Sequence, residues 1–65
     1  GHLVFSPNGN KVAIEVGYGP EDERGEIYIF DTTTGKQTRT VTENRHLKID
    51  RWKNENEVVW SEWKI

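Results

Sequence analysis

Phe5-Ser6-Pro7-Asn8-Gly9-Asn10-Lys11-Val12-Ala13-Ile14 is an aromatic residue, a polar turn and an apolar run. Trp52-Lys53-Asn54-Glu55-Asn56-Glu57-Val58-Val59-Trp60 writes the same order again, with a turn one residue shorter. Self-similarity at a period of roughly 40–50 residues marks a repeat architecture of four short strands per repeat. The chain holds one full period and the opening of a second. A single repeat cannot bury its own hydrophobic faces and relies on neighbours to do so. These two stretches therefore speak to architecture more than to biological role.

Working outward, Leu3-Val4-Phe5 is a short apolar strand closed by Ser6-Pro7-Asn8-Gly9. Asn-Gly is a favoured centre for a two-residue type I′ hairpin turn, so that turn is expected at Asn8-Gly9. Pro7 lacks an amide hydrogen and belongs at the strand end. On the return strand Val12, Ile14, Val16 and Tyr18 alternate with Ala13, Glu15 and Gly17, which predicts a buried face of the larger residues and an opposite face of small or polar ones. The stretch from Gly19 to Gly25, with Glu21-Asp22-Glu23-Arg24 in its middle, reads as a charged loop too short for a stable helix. In Glu26-Ile27-Tyr28-Ile29-Phe30-Asp31 both alternate sets are apolar, so this strand wants cover on both faces and belongs inside a sheet. Asp31 to Lys36 is a turn in which Asp31 caps the backbone and Gly35 takes the left-handed position. Gln37 to Thr42 has β-branched threonines and little apolar surface, as an edge strand should. A polar connector, Glu43 to His46, leads to an alternating strand over 47–52, a turn centred on Asn54-Glu55 and a last strand over 57–65. The expectation is all-β: about six antiparallel strands and no helix. An apolar strand at the end of the sequence reads as a cut inside a larger repeat.

The order and spacing of Phe5-Ser-Pro-Asn-Gly-Asn-Lys-Val-Ala-Ile14, Gly25-Glu-Ile-Tyr-Ile-Phe-Asp31 and Thr34-Gly-Lys36 resemble the blade pattern of TolB-like and WD-repeat β-propellers. In those families an aromatic-Ser-Pro-Asp-Gly turn joins the first two strands, and a Thr-Gly-Lys-type turn joins the third and fourth. Here Asn8 stands where Asp is usual and Phe30 where WD repeats prefer Trp, and an acidic loop is inserted between the second and third strands. The second copy lacks both the Pro and the Gly of the turn. Gly1-His2 also matches the pair that opens a WD repeat, but it lies directly against Leu3 and reads equally as a cloning scar. The resemblance implies one four-stranded blade over 3–42 and the first hairpin of the next over 47–65, within a single module spanning 1–65. It implies scaffolding and protein–protein interaction, and no particular reaction.

Composition bounds the rest. At 65 residues the chain is one small domain, a size at which folding buries only about 60% of the unfolded surface. With no cysteine there is neither a disulfide nor a thiolate for metal or nucleophilic chemistry. A net charge of -2 does not favour nucleic acid as a partner, and no run is long enough to span a membrane as a helix. The acidic Glu21-Asp22-Glu23 run lacks the alternating spacing of a calcium loop and reads as a solvated loop tip. Arg45, His46, Lys48, Arg51 and Lys53 around Trp52 form the main basic concentration, but Asp50 interrupts it and Trp52 matches the core aromatic Phe5. No Ser-His-Asp order, phosphate-cradling glycine loop or zinc spacing appears, so neither catalysis nor a cofactor is expected.

The leading expectation is a non-catalytic, propeller-like scaffold that associates with itself, with neighbouring blades or with another protein. Its candidate interaction residues are Tyr28, Phe30, Trp52, Trp60 and Trp63. Two rivals stand beside it: a self-contained β module that binds peptide or sugar through its tryptophans, and the regulatory propeller part of a hydrolase.

Overall fold

In the computed structural model, which describes residues 2–19 and 21–63, six strands and no helix follow one another along the chain. They are β1 (His2–Phe5), β2 (Lys11–Gly17), β3 (Gly25–Asp31), β4 (Gln37–Glu43), β5 (His46–Asn54) and β6 (Glu57–Trp63). The all-β expectation holds. The six strands fall into two sheets: an antiparallel meander β1-β2-β3-β4 and a separate β5-β6 hairpin. The end of the last expected strand, Lys64 and Ile65, lies outside the described residues, as do Gly1 and Pro20.

Each turn has a local chemical cause. Gly9 N–H donates to Ser6 C=O at 2.9 Å, closing a turn over Pro7 and Asn8. Gly9 has φ +75°, and among the described residues no non-glycine residue has positive φ. That corrects the expected type I′ turn, which needs positive φ at both central residues. The turn is type I, with Pro7 at its favoured second position and Gly9 following in the left-handed region. At the other end of β3 the expectation is met: Asp31 Oδ1 accepts from the amides of Thr33 and Thr34 at 2.8 and 3.0 Å, and Gly35 has φ +74°. Those amides, Thr34 first, hold the Asp31 carboxyl below its ordinary range. The last turn is centred one residue later than expected, on Glu55-Asn56, between the paired residues Asn54 and Glu57.

Strand pairing assigns the paired residues of the larger sheet to a side, because directly opposed residues share a face. One face carries the rows Val4–Ala13–Ile29–Arg39 and Glu15–Ile27–Val41. The other carries Phe5–Val12–Phe30, Leu3–Ile14–Tyr28–Thr40 and Val16–Glu26–Thr42. The hairpin β5-β6 lies on the first face, and Ala13, Ile27 and Ile29 join Leu47, Ile49, Trp52 and Val58 in the buried core. Val4, Val41 and Trp60 pack around it.

This reverses the expectation for β2. Ala13 is fully buried, whereas Val12, Ile14 and Val16, the larger side chains, keep part of their surface in solvent. The small side chain lets the hairpin come close, and closeness rather than hydrophobic rank decides which face is covered. Gly25 shows the same constraint: a Cβ there would lie 2.5 Å from Arg45 C=O and 2.8 Å from Leu47 N. Of the two glycines paired across β2 and β3, only Gly25 is needed for approach, since nothing lies within 4 Å of a Cβ at Gly17.

β3 is an interior strand, as its two apolar faces demand, although the hairpin covers only one of them. β4 is the expected exposed edge of threonines.

Candidate functional site

The surface that invites function is the uncovered face of the four-stranded sheet. Leu3 and Phe5 on β1 are 54% and 57% exposed, an unusual state for two large apolar residues side by side in one strand pattern. Val12, Ile14 and Val16 on β2 and Tyr28 and Phe30 on β3 continue the patch, each partly buried only by its neighbours in the sheet. Its polar boundary is formed by the β4 threonines and by Glu26, whose Oε2 accepts a 2.7 Å hydrogen bond from the Tyr28 hydroxyl. That bond to a carboxylate keeps the phenol protonated to higher pH than usual.

The opposite face shows how such a patch is used when a partner is present. Trp52 inserts between the sheets, is only 9% exposed, and donates its indole N–H to Val4 C=O at 2.9 Å. The Glu15 carboxylate accepts the Ile49 amide at 2.7 Å and so satisfies a β5 strand amide that faces the larger sheet. At the turn end, Glu55 binds both edges of the first turn: Oε2 accepts from the buried Ser6 hydroxyl and Oε1 from the Asn8 amide, each at 2.5 Å. The Ser6 hydroxyl, with the Asn8 and Asn10 amides, holds the Glu55 carboxyl below its ordinary range. Lys11 Nζ adds a 3.1 Å bond to Asn56 Oδ1.

The candidate interaction residues are thus distributed over three environments. Tyr28 and Phe30 belong to the open face. Trp52 is buried in the interface between the sheets, and Trp60 lies beside it with the Arg39 guanidinium 5.6 Å from its ring centre. Trp63 is 50% exposed and sits 5.1 Å from the His46 ring on the outer side of the hairpin. The five do not converge on one place. Leu3, Phe5 and Ile14 complete the open face, and matching the two repeats position by position was the signal that could have found them.

The charged loop forms a local structure of its own. Arg24 pairs with Asp22 at 2.7 Å and lies 4.6 Å over the Tyr18 ring. That guanidinium lowers the Asp22 carboxyl below its ordinary range. Together with Glu21, Glu23 and Asn44 the two line a shallow hollow open to solvent. Among the described residues no three His, Cys, Asp or Glu side chains converge as metal ligands.

Comparison with known proteins finds no family model, curated protein or solved structure that matches the chain.

Proposed function

We propose that this chain is a non-catalytic, propeller-like scaffold module whose work is protein–protein association through the open face of its four-stranded sheet. The single observation that carries this reading is the correspondence between its two hairpins. Cross-strand pairs Phe5–Val12 and Leu3–Ile14 in β1-β2 match Trp52–Val58 and Ile49–Trp60 in β5-β6, with Asp50 as the extra residue of a bulge. In the second hairpin this set of residues packs onto a sheet; in the first, the equivalent set faces solvent. A face that serves as a sheet-packing surface at one repeat has the same chemistry at the other.

The fold supports the blade reading at the level of topology, since a four-stranded meander followed by a repeat of its own first hairpin is what one blade and the start of the next would be. The ligand-binding alternative draws less support, because Trp52 is enclosed and Trp63 stands away from it.

An association surface and a piece of the chain's own core respond differently to polar substitution. With Phe5→Ser, the dilute chain is expected to unfold at the same temperature as the wild type. At high concentration the wild-type midpoint rises and that of the variant does not, because a partner that binds only the folded state stabilises it by mass action. A large drop in the dilute midpoint would assign Phe5 to the intramolecular core and end this reading.

A further inference from the structure

The open face needs a partner surface that is apolar and close to flat, and the chain limits what a second copy can offer. The Ala13–Ile27–Ile29 face of each copy is already closed by its own β5-β6. The outer side of that hairpin carries Lys48, Arg51, Asp50 and Ser61, with Ser61 Oγ bonded to Asp50 Oδ2 at 2.7 Å; its apolar residues, Val59 and Trp63, alternate with Ser61 along β6 and form no continuous patch. Among the described residues, the continuous apolar sheet surface left on a second copy is the open face itself.

We infer that the occupant of the open face is the open face of a second copy, giving an isologous, two-fold dimer of face-packed sheets. This rests on the reading of that face as an association surface. The Leu3–Ile14–Tyr28 row lies at its centre, between the Phe5–Val12–Phe30 and Val16–Glu26 rows. Like charges do not meet in the middle: Glu26, the acidic residue of these rows, lies in the outer row and accepts the Tyr28 hydroxyl. Each copy's Ile14 then faces its equivalent near the axis. The arrangement also closes on itself, whereas a head-to-tail contact would leave each end open to further chains.

The size of the face sets the strength. Three strands about 4.8 Å apart and about five residues long, at roughly 3.3 Å per residue, span roughly 14 by 17 Å, so the two copies cover on the order of 500 Å² before side-chain relief is counted. That is below the about 1,200–2,000 Å² of standard stable complexes, so the dimer is weak and in rapid exchange. Phe5→Asp should weaken it by about 30-fold or more, the cost of a lost hot spot with a charge in its place.

The chain is small enough for nuclear magnetic resonance on mixed samples, half isotope-labelled and half not, at millimolar concentration. Intermolecular methyl contacts are expected among Leu3, Val12, Ile14 and Val16, with none to Ile29 or Ile49. Intermolecular contacts that instead involve Ile49 and Val58 would mean that hairpins have been exchanged, and would overturn the face-packed dimer. A monomer at millimolar concentration whose dilute stability is untouched by Phe5→Asp would also overturn it, while leaving the face as a surface for a different protein. If Phe5→Asp unfolds the dilute chain while Lys48→Asp does not, the surface reading itself fails.

Discussion

Two hairpins with one residue pattern meet opposite fates in this molecule. In β5-β6 the Trp52–Val58 pair is buried; in β1-β2 the corresponding Phe5–Val12 pair looks into solvent. The reverse sides differ as well. Val4 and Ala13 on β1-β2 are covered by the second hairpin, whereas Arg51 and Val59, their counterparts, lie on an uncovered and mostly polar side. The first hairpin is therefore apolar on both faces and the second on one. Burial here is decided by what arrives next in the chain, and local pattern only prepares a strand to receive it.

The sharpest way to break that comparison is to truncate the matched aromatics. Trp52→Ala removes a core side chain and an indole hydrogen bond and should cost about 3–5 kcal/mol. A chain of this size has a total stability of only about 3–10 kcal/mol, so the variant is expected to be largely unfolded by circular dichroism. Phe5→Ala at low concentration should stay within about 0.5 kcal/mol of the wild type. Where unfolding hides the first value, the milder pair Ile49→Val and Ile14→Val serves: about 0.5–1.5 kcal/mol for the buried site and less for the open one, read from urea midpoints.

Glycines sharpen it next. Gly25→Ala drives a Cβ into the backbone of Arg45 and Leu47 and should cost about 1–3 kcal/mol, or displace the hairpin. Gly17→Ala, across the same ladder, meets nothing within 4 Å and should be near neutral. Equal losses would mean that the second hairpin does not approach β3 as described. Gly9→Val forces a β-branched residue to φ +75° and should cost roughly 1–2 kcal/mol, a smaller effect than the Gly25 clash at its upper end.

The smallest expected effect is acidic. Glu55 ties the two turns together, and its folded-state pKa is depressed by the Ser6 hydroxyl and the Asn8 amide. A depressed carboxyl contributes stability that is present above its unfolded value, about 4.3, and is lost as the pH falls through the folded value. Glu55→Gln should lower stability at neutral pH and flatten the acid limb of the stability curve relative to the wild type. Asp31, depressed by the Thr34 and Thr33 amides within a single turn, contributes to the same limb without linking the hairpins. An unchanged acid limb in Glu55→Gln would remove Glu55 from the contact between the turns.

Much of the fold was legible because its signals are local. Alternation marked the strands, Gly35 and Asp31 fixed one turn, and the threonines of β4 marked an edge. The side of β2 that is buried was not legible, since Ala13 gains its burial from residues thirty or more positions away. The same is true of Ser6, Glu15 and Glu55, whose partners lie on the other hairpin and leave no periodicity behind. At the candidate site, Tyr28 and Phe30 stood out because β3 is apolar on both sides. Leu3, Phe5 and Ile14 looked like ordinary core, because a hydrophobic strand does not announce which neighbour is missing.

Sedimentation equilibrium tests the central claim most directly: wild type and Phe5→Asp are compared over a concentration range reaching the millimolar. The wild-type mean mass should climb from the 7.6 kDa of one chain toward twice that value, while Phe5→Asp stays at 7.6 kDa. Masses that rise equally in both proteins, or that stay at one chain in both, would contradict the assignment of the open face as the surface on which this molecule associates with itself.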